Sequence, residues 1–149
     1  MQEILIAPCG MNCELCIAYQ AKQADLKKHG FNRKYCEGCI PRGQNCLFMS
    51  KSCEKLANGQ VRYCSECDSF PCKRLKALDK RYRTKYNMSM IENLIAIRDL
   101  GMEVFLRSQE EKWACQSCGG TVSCHTGLCA RCDLEKMRVK KAVKSKPLE

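Results

Sequence analysis

The sequence predicts an α-rich, irregular small fold that is stabilised by metal, with a helical middle and a C-terminal zinc-ribbon-like module. Three observations lead to this prediction. Fifteen of the 149 residues are cysteine, which is far above ordinary usage. Without these cysteines the apolar share of 45% falls to about a third, which leaves a thin core in need of cross-links. Helical patterns are concentrated in the one long stretch without cysteine, residues 73–114.

Metals, rather than disulfides, are the expected cross-links. The start MQEILIAPCG has no basic region, and its apolar run is too short for a signal peptide. No stretch approaches the roughly 18 apolar residues of a membrane span, so we expect a cytoplasmic protein without membrane contact, whose thiols stay reduced. Five Cys-x-x-Cys pairs suit metal ions, because each places two thiolates on one tight turn. They are Cys13/Cys16, Cys36/Cys39, Cys64/Cys67, Cys115/Cys118 and Cys129/Cys132.

The basic balance of the chain is milder than its composition suggests. The formal net charge is +10. A divalent ion held by four thiolates carries about −2, so three such sites would leave about +4. This weakens the argument that charge alone makes for nucleic-acid binding.

The cysteines divide the chain into parts. They lie in four groups, within residues 9–16, 36–53, 64–72 and 115–132. We therefore expect a cysteine-rich metal-binding body (1–75), a helical segment packing on it (76–112), a zinc-ribbon-like module (113–134) and a basic flexible tail (135–149).

The first helix is predicted to begin at Cys13 with Asn12 as its cap, and to end near Lys28 with Gly30 as its stop. In such a helix Cys13 and Cys16 share one face, as a common metal ion requires.

Three further helices are predicted in the middle of the chain. One follows Pro71 through KRLKALDKRYRTKY, with seven basic residues facing outward. The next begins with a capping box at Ser89 and stops at Gly101. A short fourth helix covers about residues 102–111.

The C-terminal module carries the clearest motif. Cys115, Cys118, Cys129 and Cys132 form C-x2-C-x10-C-x2-C, which is close to a zinc-ribbon layout. Backbone N–H groups after the first pair, at Gly119 and Gly120, are expected to turn toward the thiolates, and Trp113 to shield the site. Cys124 and His125 remain as spare donors or alternative ligands.

The ten cysteines of the body allow several groupings. Cys9, Cys13 and Cys16 need a fourth ligand, for which we favour Cys72. A second site would use Cys36 and Cys39 with either Cys64 and Cys67 or Cys46 and Cys53. Zinc is the first choice of metal throughout, with two or three ions, and a [4Fe-4S] cluster in the body is the alternative.

The body also resembles a known family. The segments CGMNCELCIAY, CEGC, CEKLANGQVRYCSEC and SFPC occur in this order. Together they resemble a cysteine-rich prokaryotic family known as domain of unknown function 3795. The resemblance covers about residues 7–75 and implies metal binding without an assigned activity.

Enzymatic readings fit poorly. The C-x3-C-x2-C spacing of CGMNCELC is known from radical enzymes, but their partial barrel needs on the order of 200 residues. A hydrolytic enzyme needs an open metal position and a general acid or base, and neither of the two histidines, His29 and His125, sits in a His-Glu-x-x-His arrangement. We assign no catalytic residue.

We expect a metal-binding interaction or regulatory module with a protein partner. The first alternative is an iron–sulfur electron-transfer or redox-sensing protein, and the second is a nucleic-acid-binding zinc ribbon.

Overall fold

The computed structural model describes residues 1–43 and 53–137. Its α-helices are α1 (Ile17–Gln23), α2 (Glu54–Ala57), α3 (Lys73–Tyr86), α4 (Met90–Leu100) and α5 (Met102–Lys112). Four 3-10 helices cover Glu3–Leu5, Cys13–Leu15, Leu26–His29 and Cys64–Glu66, and residues 134–137 are helical. Three isolated bridges take the place of a sheet in the described ranges. A helix-rich small fold is thereby confirmed, whereas a ribbon of paired strands is not.

The predicted first helix is wrong as a continuous element. Asn12 does act as a cap, with its side chain accepting a hydrogen bond from the Glu14 N–H, and the segment ends at Gly30. Between these points the backbone becomes extended at Cys16, with φ −76° and ψ 128°. The N–H of the next residue, Ile17, donates to His125 Nδ1 at 3.3 Å, so a distant side chain caps α1. Cys13 and Cys16 therefore do not share the face of one α-helix.

The middle helices are confirmed. α3 begins directly after Cys72, whose sulfur accepts a hydrogen bond from the Leu75 N–H at 3.5 Å. α4 begins after Ser89, whose hydroxyl accepts from the Glu92 N–H at 3.1 Å, and it ends at Gly101. These boundaries follow local capping signals, which is why the sequence alone located them.

A buried carboxylate joins α3 to the start of α4. Asp79 is only 4% exposed. It accepts hydrogen bonds from the Ser89 hydroxyl at 2.7 Å and from the Ile91 N–H at 3.0 Å, and it pairs with Arg83 at 3.1 Å. Because its partners come from both helices, Asp79 fixes the angle at which α4 leaves α3.

The helices and the N-terminal turn share the main core. Its fully buried side chains include Ile6, Leu15, Leu75, Leu94 and Phe105. A second, smaller cluster joins α1 to the C-terminal module and includes Ile17, Leu26 and Met137. The described part of the predicted tail, residues 135–137, packs into this cluster through Met137. The rest of that tail lies outside the described residues.

The C-terminal module is held against the N-terminal turn by backbone contacts. The Leu15 carbonyl accepts hydrogen bonds from the Cys124 N–H at 3.0 Å and from the Ser123 hydroxyl at 3.1 Å.

In the described part of the chain, none of the helices is long and apolar enough to cross a bilayer.

Candidate metal centres

The four predicted cysteines of the C-terminal module come together. The sulfur atoms of Cys115, Cys118, Cys129 and Cys132 all lie within 4.8 Å of one another. Two of the pairs are 3.9 Å (Cys115 to Cys132) and 3.7 Å (Cys118 to Cys129) apart. A tetrahedral zinc ion with Zn–S bonds of about 2.3 Å would place its sulfurs about 3.8 Å apart. This group of four cysteines, hereafter the tetrad, can hold a metal ion.

Backbone hydrogen bonds shape the two turns of the tetrad. Cys115 N–H donates to the Gly120 carbonyl at 2.6 Å, and Gly120 N–H donates to the Cys118 sulfur at 3.4 Å. The second turn is closed by Asp133, whose carboxylate accepts from the Cys129 N–H at 3.1 Å. The predicted role of Gly120 as a donor to a thiolate is thus present.

The pKa values of two tetrad thiols are shifted in opposite directions. Backbone N–H groups of Ser117 and Cys118 lower the pKa of Cys115 to about 7. A hydrogen bond with Cys118, together with burial and the neighbouring Cys115, raises the pKa of Cys132 to about 12. One thiolate therefore forms easily while a second is opposed by the first. A bound cation removes that opposition, since it attracts all four sulfurs.

In the body, five cysteines line one cavity of about 530 Å³. They are Cys9, Cys13, Cys16, Cys36 and Cys39. The segment 36–39 reaches the N-terminal turn through the Cys36 N–H, which donates to the Ala18 carbonyl at 3.2 Å, and the Cys39 N–H, which donates to the Cys13 sulfur at 3.4 Å. Burial raises the pKa of Cys16, and the nearby Cys13 and Cys36 raise it further. We call this space the five-cysteine cavity.

Glycine makes the turn between Cys36 and Cys39 possible. Gly38 has φ +103°, and a Cβ atom at this position would lie 2.7 Å from the Leu5 side chain. Its N–H donates to the Cys36 sulfur at 3.5 Å. The Cys-Glu-Gly-Cys segment therefore fits tightly against the core, and both Cys36 and Cys39 line the cavity.

The remaining body cysteines form a different set. Cys53, Cys64, Cys67 and Cys72 line a separate cavity of only about 30 Å³. Cys72, the predicted fourth ligand of Cys9, Cys13 and Cys16, lines this smaller cavity and does not line the five-cysteine cavity. Its position at the start of α3, where its sulfur caps Leu75, explains this placement.

Of the two groupings predicted for the second body site, the one with Cys64 and Cys67 is not brought together, and the one with Cys46 and Cys53 includes a residue outside the described ranges. Cys36 and Cys39 face Cys13 across the five-cysteine cavity, whereas Cys64 and Cys67 line the smaller one. Cys46 lies outside the described residues. Among the described residues, only the tetrad brings three or more ligand atoms within 4.8 Å of one another.

Cys124 and His125 lie apart from the tetrad and make contacts inside the fold. Cys124 is 5% exposed, and burial together with Cys16 raises its pKa to about 12. His125 accepts from the Ile17 N–H and lies 3.3 Å from the Tyr82 hydroxyl through Nε2. Burial lowers the pKa of His125, and Arg33 lowers it further. Both ring nitrogens thus have partners within the fold.

Sequence reasoning missed one residue of the five-cysteine cavity. Arg42 lines it, and the Nε atom of its guanidinium is buried without a hydrogen bond to any described residue. The only signal in the sequence is a basic residue three positions after Cys39, and such a signal is weak by itself.

The basic residues of α3 are exposed, as predicted. They are Lys73, Arg74, Lys76, Lys80, Arg81, Arg83 and Lys85. The tyrosines between them face the other way. Tyr82 and Tyr86 pack edge-to-face on each other and on His125, so their rings are already occupied.

Fold and sites together define a small helix-rich protein with a cysteine group able to bind a metal ion. Residues 5–77 match the model of a family described as protein of unknown function (DUF3795). The resemblance seen in the cysteine segments is thereby confirmed. Both cysteine sets of the body lie within the matched residues, and the tetrad lies outside them. No curated protein and no solved structure matches the chain.

Proposed function

We propose that this chain is a cytoplasmic, non-enzymatic metalloprotein that acts as an interaction or regulatory module, with zinc in its tetrad. The geometry of the tetrad carries the proposal, because its sulfurs are already spaced as one tetrahedral ion requires. Four thiolates without a position for water suit zinc in a structural role, in which the ion stabilises the fold and takes no part in turnover.

The interaction role is supported by apolar side chains at the surface. Ile95 and Leu100 on α4 and Val104 on α5 are 37%, 62% and 47% exposed. The two helices pack against each other, and a contiguous patch of exposed apolar side chains would mark a protein-binding surface.

Metal analysis of purified protein tests the proposal. We expect about one zinc ion in the tetrad of the wild-type chain and the loss of that ion in Cys118→Ser. Ser117→Ala is the matched control, since it alters an exposed side chain of the same turn and removes no ligand. Equal zinc content in Cys118→Ser and Ser117→Ala would exclude the tetrad as the site.

A comparison of co-purified proteins tests the interaction role. A partner that binds through α4 and α5 should be recovered with the wild-type chain and with Glu103→Gln, and be lost with Leu100→Glu. Equal recovery with both variants would place the partner elsewhere.

Nucleic-acid binding is the second candidate, and the exposed basic side chains of α3 favour it. Binding through phosphates falls steeply with rising salt, and each lost contact reduces the salt dependence. A double change, Lys76→Glu with Lys80→Glu, would then abolish binding to single-stranded RNA at low salt. No binding by the wild-type chain at low salt would remove this candidate.

A further inference from the structure

The two cysteine-lined cavities of the body differ in what they can hold. The set with Cys53 and Cys72 encloses about 30 Å³, which is about the volume of one water molecule in the liquid. The five-cysteine cavity is about 530 Å³, far more than a single ion fills. The size of the five-cysteine cavity therefore points to a bound group larger than one metal ion.

The spacing of the sulfurs points the same way. A single zinc ion draws four thiolates to about 3.8 Å from one another, and the tetrad shows that spacing. Of the five sulfurs in the five-cysteine cavity, no three lie within 4.8 Å of one another. Wider spacing suits a polynuclear centre, in which each thiolate binds a different metal atom.

The walls of the cavity provide hydrogen-bond donors for an anionic group. Arg42 has a buried Nε–H that makes no hydrogen bond with the described residues, and a buried donor of this kind calls for an acceptor. Backbone N–H groups of Gly38 and Cys39 donate to the Cys36 and Cys13 sulfurs. Such donors stabilise thiolates and bridging sulfides, and they tune the reduction potential of iron–sulfur clusters.

We propose that the five-cysteine cavity binds one iron–sulfur cluster, ligated by Cys13, Cys16, Cys36 and Cys39, with Arg42 donating to it. These four are chosen because contacts link the two Cys-x-x-Cys pairs directly, through the Cys39 N–H and the Cys13 sulfur. An oxidised four-iron cluster with four thiolates carries a net charge of about −2, which the guanidinium partly offsets. The proposal rests on the proposed function only in making the chain a metalloprotein, because it concerns a different site.

The test is anaerobic purification of the full chain, followed by assay of iron, acid-labile sulfide and zinc. We expect about four iron and four sulfide per chain, with the visible absorption of a thiolate-ligated cluster. Cys36→Ser should lose both iron and sulfide. Glu37→Gln is the matched control, since it alters an exposed side chain of the same turn and removes no ligand, and it should leave iron and sulfide unchanged. A wild-type chain that holds no iron, even after incubation with ferrous iron and sulfide, overturns the proposal.

A second measurement does not depend on the folding of a ligand variant. Arg42→Gln removes a positive charge that would stabilise the more negative, reduced cluster. The reduction midpoint of the cluster should therefore move to a more negative potential. Lys28→Gln, at an exposed lysine paired with Asp25, should leave the midpoint unchanged. Equal midpoints for the wild type and Arg42→Gln would place the cluster outside this cavity.

The zinc assay separates the two proposals. In Cys118→Ser we expect zinc to fall while iron stays, and in Cys36→Ser the reverse. Zinc without iron in the wild type would leave the tetrad proposal standing and overturn this one. Iron without zinc would uphold the cluster and refute zinc in the tetrad.

Discussion

The turn between the first two cysteines makes a quantitative prediction through Gly10. Its φ is +87°, and a Cβ atom at this position would lie 2.5 Å from the Met90 carbonyl oxygen and 2.8 Å from the Leu94 side chain. The Met90 carbonyl belongs to the first turn of α4, so it cannot move without disturbing that helix. Gly10→Ala should therefore force the N-terminal turn away from α4.

Two contributions set the size of the effect. The left-handed conformation costs an alanine about 1–2 kcal/mol, and forcing an extra methyl group into packed atoms adds about 1–3 kcal/mol. The expected loss is roughly 2–5 kcal/mol out of a typical total of about 5–15 kcal/mol. Gly30→Ala is the matched control, because Gly30 has φ +79° and no heavy atom within 4 Å of its Cβ position.

Urea unfolding followed by circular dichroism, on metal-loaded protein, measures both variants. The control isolates the conformational cost, so the difference between the two free energies of unfolding reports the contact with α4. We expect that difference to be about 1–3 kcal/mol. Equal losses would mean that Gly10 does not lie against Met90, and the packing of the cysteine turn on α4 would have to be revised.

Three further changes test the parts that hold the sites in place. Asp79→Ala removes the acceptor shared by Ser89 and Ile91 and should cost about 3 kcal/mol in urea unfolding; the same loss in Lys80→Ala, at an exposed position of the same helix, would contradict a special role of the Asp79 bonds. Asn93→Ala removes the buried bond to the Gly10 carbonyl at 2.9 Å and should cost about 1–3 kcal/mol, with an unchanged midpoint contradicting that bond. Zinc removal by a strong chelator should unfold the C-terminal module, since structural zinc contributes on the order of 10 kcal/mol; a chelated chain that keeps a cooperative transition would refute the structural role.

The helical half of the molecule could be predicted from the sequence because its signals are local. Ser89 caps α4 within three residues, and Gly101 ends it where the chain must turn. The tetrad was equally accessible, since its two Cys-x-x-Cys pairs lie on one short segment. Local geometry alone brings these groups together.

The break in the first helix could not be predicted in the same way. It depends on His125, which binds the Ile17 N–H across 108 residues of sequence. The partners of the body cysteines are set by similar long-range contacts, such as the one between Cys39 and Cys13. A spacing rule names the ligands of a site only when those ligands are neighbours in the chain.

The hydrogen bonds that join Leu15 and Ile17 to residues 123–125 have a consequence for the order of assembly. In a chain made from its N-terminus at about 5–20 residues per second, residues 123–125 follow Leu15 by roughly 5–20 s. Until then the N-terminal turn lacks the hydrogen bonds of Cys124 and His125 that close it. The cysteines of residues 9–16 are therefore synthesised well before the residues that complete their surroundings, and those surroundings form only after residues 123–125 have been made.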